Sequence, residues 1–182
     1  VNQAKNIVNE AGRIKDIVDQ QKGYIGGEFK VGIIPTVMPT LLPMFLNNFI
    51  KKYPKVNLII EEQTTEEIIK RLKNGHLDCA IAATPLEEEN LKEIVLYYEP
   101  FVAYVPKNHS AIDKKEIEIS DLDLDKILLL QDGHCFRNGI LNLCKNNKYF
   151  ADSYFQLERG SFETLTTLAD VGLGTTLLPY LH

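Results

Sequence analysis

The spacing of apolar residues changes near residue 23. Before it, Ala4, Ile7, Ala11, Ile14 and Val18 recur at alternating intervals of three and four, with Lys, Asn, Asp and Gln on the other positions. That is a heptad seam on a helix over residues 1–22. Three heptads are marginal alone, so the seam packs either on a partner helix or on its own domain. Gly23, Gly26 and Gly27 end it.

From Phe29 onward the pattern alternates between strands and helices. Phe29–Ile34 reads as an apolar strand ending at Pro35-Thr36. Pro39-Thr40 opens a helix whose apolar face carries Leu41, Leu42, Phe45, Leu46, Phe49 and Ile50, closed near Pro54. Val56–Ile60 is a strand, Thr64–Lys73 a helix with Glu66 and Glu67 in its first turn, and Leu77–Ala83 a buried strand after the stop at Gly75. Such a β-α-β-α-β run implies a parallel sheet with right-handed crossovers. A strand in Tyr97–Val105 begins a second series. It continues with a strand at Ile127–Gln131, a helix after Gly133, a strand around Phe155–Leu157, a helix from Ser161 and a strand at Thr175–Leu178. The fold class is α/β, in two successive lobes that change over near residues 98–102. The last apolar strand runs straight into Pro179-Tyr180-Leu181-His182, so the second lobe is expected to continue beyond it.

The 182 residues suffice for two small lobes, and a composition 45% apolar and 25% charged is that of a folded domain. A net charge of −5 argues against a surface that grips phosphate backbones by itself. No apolar run is long enough to span a membrane, and the polar, periodic start is unlike a signal peptide. Three cysteines do not make a disulfide scaffold; a reducing cytoplasm is the expected compartment, and a disulfide there is a regulated event.

The strongest local constellation is Gln131-Asp132-Gly133-His134-Cys135-Phe136-Arg137, where an apolar strand meets the start of a helix. A thiol at a helix N-terminus meets unpaired N–H groups and the positive end of the dipole, which favour thiolate. His134 and Arg137 add donors or positive charge, and Asp132 acts the other way. Cys135 is therefore either a reactive cysteine or a small residue filling a strand–helix junction. Cys144 lies nine residues on. A continuous helix would separate the two by roughly 13.5 Å of rise and put them on opposite faces, whereas a disulfide needs Cα atoms within about 7 Å. Either Cys144 is a core residue beside Ile140, Leu141 and Leu143, or the pair closes only by refolding the segment. Asn138-Gly139 and Asn146-Asn147 make a poor helix, which suits refolding.

Other candidates are blander. Cys79 reads as a small buried hydrophobe. Thr36 and Thr65 each follow a strand and precede a helix, where open α/β sheets bind ligands, but an N-cap or turn role fits both. His76, His109 and His182 show no metal-ligand spacing, Glu87-Glu88-Glu89 reads as a solvated loop, and no nucleotide-binding or hydrolase motif is present.

Several of these stretches together resemble a known family. Gly32-Ile33-Ile34-Pro35-Thr36-Val37 with Leu41-Leu42-Pro43 resembles the opening of OxyR-type regulatory domains of the LysR family. Leu77-Asp78-Cys79 is similar to a strand common in LysR-type effector domains. Ser161-Phe162-Glu163-Thr164-Leu165 and Gly174-Thr175-Thr176-Leu177-Leu178-Pro179 resemble two further stretches, and Asp132-Gly133-His134-Cys135-x-Arg137 with a cysteine nine residues later is the specific OxyR-type signature.

The resemblance covers residues 23–182. It implies two Rossmann-like lobes of periplasmic-binding-protein-like type, 23–99 and 100–182, after the end of a linker or dimerisation helix over 1–22. It implies Cys135 as peroxidatic cysteine, Cys144 as resolving cysteine, and Thr36, Thr65 and His134 as peroxide-pocket residues. The thiolate would reduce hydrogen peroxide and become a sulfenic acid, Cys144 would condense with it, and cellular thiol reductants would reset the disulfide. Refolding would alter homodimer or homotetramer geometry and hence promoter DNA contacts and RNA polymerase recruitment. The family's N-terminal winged helix-turn-helix is absent from this chain, and so is the C-terminal tail that brings an arginine near the pocket. No cofactor or metal is implied, and the device is a stoichiometric switch rather than an enzyme. Two other functions fit parts of the sequence: a LysR-type domain binding a small organic effector, with Cys135 incidental, and a thiol peroxidase.

Overall fold

The computed structural model describes residues 11–12, 25–130, 137, 139–140 and 160–182. The chain divides into two compact units, Val1–Ile94 and Val95–His182. Of the expected first helix only Ala11 and Gly12 are described; both are helical and exposed.

In the first unit β1 (Gly27–Ile33) lies between β2 (Val56–Glu62) and β3 (Cys79–Ile81), and both pairings are parallel. Val31 through Ile34 are buried, the continuous burial expected of a central parallel strand. Parallel neighbours need long crossovers, supplied by α1 (Met38–Lys52) and α2 (Thr65–Lys73). α1 takes Pro39 in its first turn, where a missing N–H costs nothing. Its residues Leu41, Leu42, Phe45, Leu46 and Phe49 are half-buried, but Ile50, expected on the same face, is 54% exposed. α2 places Ile68 at the core, and Gly75, at φ +66°, ends the turn after it. β3 is shorter than the expected 77–83. The Asp78 carboxylate accepts the Lys30 N–H at 2.8 Å, so a side chain takes the place of a ladder bond at that end.

In the second unit β4 (Phe101–Tyr104) pairs antiparallel with β5 (Thr176–Pro179). α3 (Phe162–Asp170) buries Phe162, Leu165 and Ala169 at helical spacing. Ser161, the expected start, caps it by accepting the Thr164 N–H at 3.2 Å. Two single 3-10 turns, Ile119–Asp121 and Leu124–Lys126, were not signalled by the pattern. The expected strand at 127–131 makes a parallel bridge from Ile127 to Thr175, the residue just before β5. A Cβ on Gly174 would lie 2.1 Å from the Lys126 carbonyl oxygen, so only glycine lets these backbones approach so closely. The core is built of Leu122, Ile127, Leu128, Leu130 and Ile140 with the buried face of α3 and Leu177 and Leu178 of β5. The expected strand near Phe155–Leu157 lies outside the described residues.

Candidate functional site

β1 and β2 end together: Ile33 and Glu62, their last residues, are register partners. Thr36 and Thr65 each follow three residues later, so the two threonines leave the same C-terminal sheet edge from neighbouring strands. This edge is the ligand-binding side of open parallel sheets. Thr36 sits in the turn between β1 and α1 and is 8% exposed. The Val37 and Met38 N–H groups both donate to Ile34 O, at 3.2 and 3.1 Å, which winds that turn tightly.

Thr65 is not the cap of α2. That role belongs to Thr64, whose Oγ1 accepts the Glu67 N–H at 3.4 Å. The Thr65 hydroxyl is shut off from solvent and has no hydrogen-bond partner among the described residues. Leaving such a group unpaired costs about 1–3 kcal/mol, so the position is suited to a ligand that bonds to it.

The helix carrying Thr65 is tied to its strand. Arg71 Nη1 and Nη2 donate to the two Glu61 carboxylate oxygens at 2.6 and 2.8 Å, and Gln63 Nε2 donates to Glu61 Oε2 at 2.9 Å. Both ion-pair partners are about three-quarters covered, with side chains 25% and 27% exposed. A forked pair of this kind fixes orientation as well as distance. Sequence reasoning missed it, although Glu61 at a strand end and Arg71 on the following helix were visible.

Cys79, half-buried on β3, has its thiol pushed above its ordinary value by burial and then by the Asp78 charge. It stays protonated and is a poor nucleophile. The sequence reading of a small buried hydrophobe is met only in part, since Cys79 is half-buried.

His134, Cys135 and Cys144 lie outside the described residues, but some of their neighbours in sequence are described. Leu130 precedes the stretch 131–136 and Arg137 follows it. Arg137 Nη1 donates to the Leu130 carbonyl at 3.4 Å. Arg137, Gly139 and Ile140 are helical, and Ile140 is fully buried. Thr176, also missed, is fully buried and donates from Oγ1 to the Leu128 carbonyl at 3.0 Å. Its only signal in the sequence is a hydroxyl inside an otherwise apolar strand. Elsewhere, His109 Nδ1 accepts the Ala111 N–H at 3.1 Å and the His182 ring packs edge-on against Phe162. Among the described residues no group of His, Cys, Asp and Glu could hold a metal ion.

Comparison with known proteins identifies the fold. Residues 22–182 match the family described as LysR substrate binding domain. The chain belongs to that family. The "Hydrogen peroxide-inducible genes activator" of Dickeya chrysanthemi is 34% identical over 181 residues, covering 100% of this chain and 59% of that protein. The "DNA-binding transcriptional dual regulator OxyR" of Escherichia coli K12 is 33% identical with the same coverage. The chain thus spans about three-fifths of the length of these relatives. Among solved structures, the reduced form of the OxyR regulatory domain from Pseudomonas aeruginosa is 32% identical with a TM-score of 0.73, covering 86% of this chain and 74% of that one. An H2O2-bound cysteine mutant of Corynebacterium glutamicum OxyR is 31% identical with a TM-score of 0.82, covering 97% of this chain and 55% of that one. The α/β class expected from the sequence and the resemblance to OxyR-type regulatory domains both hold for this LysR substrate binding domain. No described helix is long and apolar enough to cross a membrane.

Proposed function

We propose that this chain is the regulatory part of a peroxide-sensing transcription factor of OxyR type. The observation that carries the proposal is the Thr65 hydroxyl, buried and without a partner among the described residues, at the edge where Thr36 also emerges. Two hydroxyl-bearing residues at that edge suit a small, strongly hydrogen-bonding ligand better than a large apolar one. The relatives' names point the same way.

In this reading Thr36, Thr65 and His134 hydrogen-bond the peroxide or the reacting cysteine. The Cys135 thiolate sulfur bonds to one peroxide oxygen, the O–O bond breaks, and hydroxide leaves and takes up a proton as water. The resulting sulfenic acid condenses with the Cys144 thiol, forming the disulfide and releasing a second water. Two electrons pass from the thiols to the peroxide, and cellular thiol reductants return them. Residues 1–22 end a linker helix, with lobes at 23–99 and 100–182. The disulfide changes homodimer or homotetramer geometry in a cytoplasmic regulator. Promoter DNA and RNA polymerase are then engaged through the full-length protein. One oxidation per reset makes it a switch and not a turnover enzyme.

The test is thiol mapping by mass spectrometry before and after a small peroxide dose to the full-length protein. A Cys135–Cys144 disulfide is expected, and Cys144→Ser is expected to stop at the Cys135 sulfenic acid or overoxidise. Absence of both products at Cys135 sinks the proposal. The family's description as a substrate binding domain favours a second reading, a small organic effector with Cys135 incidental. In that case Cys135→Ser leaves the transcriptional response intact.

A further inference from the structure

Only Gln63 and Thr64 separate the end of β2 at Glu62 from the start of α2 at Thr65. The backbone of this corner is held by the Gln63 N–H to Ile33 O at 3.1 Å and the Ile68 N–H to Thr64 O at 2.9 Å. The Thr64 cap adds a long bond at 3.4 Å. Thr65, Ile68 and Arg71 recur at steps of three along α2, so each lies beside the next on the helix surface. Ile68, between the other two, is the residue of α2 that is buried outright. Apolar burial is non-directional. It draws this face inward without fixing the fine register of the helix against its strand.

Arg71 supplies the direction. Its guanidinium forks onto Glu61 of β2, and Glu61 Oε2 also accepts Gln63 Nε2. Its backbone carbonyl accepts the His76 N–H at 2.8 Å and the Leu77 N–H at 3.4 Å. One residue thus ties α2 to the strand before it and to the chain entering β3. The link from Glu61 to Arg71 closes the corner into a loop that contains Thr65. Stability does not account for the pair. An ion pair this far covered recovers little beyond its desolvation cost, and Arg71 Nε is buried with no hydrogen-bond partner among the described residues. Apolar side chains of similar size would pack there without that cost. What the fork adds is a fixed angle.

We propose that Glu61, Gln63 and Arg71 are positioning residues for Thr65, their network holding the corner so that its hydroxyl stays where a ligand meets it. The proposal rests on the reading of that hydroxyl as a ligand contact. Both Nη groups are committed to Glu61, so Arg71 acts through Thr65 and not on the ligand. Misplacing such a contact by about 1 Å costs up to roughly a hundredfold in rate.

The experiment uses the full-length protein and compares Arg71→Gln and Arg71→Lys, each in the presence of Thr65 and of Thr65→Val. The first measurement, without peroxide, is the Thr65 methyl resonance in protein with isotope-labelled threonine methyl groups. The second is the rate of oxidation by hydrogen peroxide, followed at each cysteine by peptide-resolved mass spectrometry. Arg71→Lys keeps the charge and loses the fork. Both variants are therefore expected to shift the Thr65 resonance and to slow oxidation about tenfold. In the Thr65→Val background the same substitutions are expected to change the rate by less than about twofold, because no hydroxyl is left to misplace. A merely structural pair slows both backgrounds equally, and that result overturns the proposal, as does an unmoved Thr65 resonance. Should Arg71→Gln not fold, Arg71→Lys is judged alone by the same criteria. A shifted resonance in a protein whose wild type does not react with peroxide leaves the positioning in force and removes the peroxide reading. Normal wild-type oxidation with equal slowing in both backgrounds does the reverse.

Discussion

Thr36 and Thr65 occupy equivalent places on neighbouring strands, each three residues beyond the register pair Ile33 and Glu62. Of the two, only Thr65 has a hydroxyl that is buried and without a hydrogen-bond partner among the described residues. Removing that hydroxyl without changing side-chain shape therefore separates stability from function. Thr65→Val is expected to stabilise the domain by about 1 kcal/mol while slowing peroxide oxidation of Cys135. Thr65→Ser keeps the hydroxyl and retains most of the reaction. Denaturant melts read the first effect and peptide-resolved oxidation kinetics the second. A Thr65→Val protein that is less stable and equally reactive would show the hydroxyl to be structural.

Two glycines make a paired test of close packing. At Gly174 an added Cβ would meet the Lys126 carbonyl oxygen at 2.1 Å, a backbone atom that cannot swing aside. At Gly32 the nearest atom is Leu77 Cδ1 at 2.7 Å, the end of a flexible side chain. Gly174→Ala is expected to cost about 1–3 kcal/mol or more, and Gly32→Ala less. Hydrogen exchange resolves the two units separately, so loss of protection should centre on β5 in the first variant and on β1 in the second. The reverse order of cost would contradict the packing argument.

The sequence was most legible where one interaction dominates. Val31 to Ile34 form an uninterrupted apolar run and become the buried central strand. Ser161 and Gly75 mark helix ends because capping and a positive φ are local matters. What it hid depends on partners distant in the chain. The Asp78 carboxylate trims β3 by bonding Lys30, 48 residues away. Thr176 reaches Leu128 across the same separation. Ile50 carries the helical period of its neighbours yet is exposed, because period places a residue on a face and says nothing of what covers it. Of the proposed site, Thr36 and Thr65 were visible by position, and the structure adds that Thr64 does the capping. Cys135 and Cys144 rest on their spacing and on the family signature.

Cys79 provides the control thiol. Burial and the nearby Asp78 charge both raise its pKa, so at neutral pH it offers less thiolate than an unperturbed cysteine. Labelling with a neutral alkylating reagent is expected to be slow at Cys79 and fast at Cys135 in the same sample. Cys79→Ala should leave peroxide oxidation of Cys135 unchanged. Fast labelling of Cys79 at neutral pH, or a loss of Cys135 oxidation in the alanine variant, would assign Cys79 a part in the chemistry.

Acid sensitivity of the second unit should carry a signature of Asp121. Its carboxylate accepts Lys114 Nζ at 2.6 Å and the Glu118 N–H at 3.1 Å. The Lys114 hydrogen bond first, then the backbone one, hold its pKa below the ordinary carboxylate value. The folded state therefore favours the ionised form more than the unfolded chain does. The resulting stability is fully present above about pH 4 and is lost as pH falls through the lowered folded value. Asp121→Asn removes this contribution, so the stability gap between wild type and variant should shrink on acidification. The site is exposed, and added salt should narrow the gap at neutral pH as well. Urea unfolding from neutral pH down to about pH 3 checks both trends, and a gap that widens with acid would reverse the assigned direction.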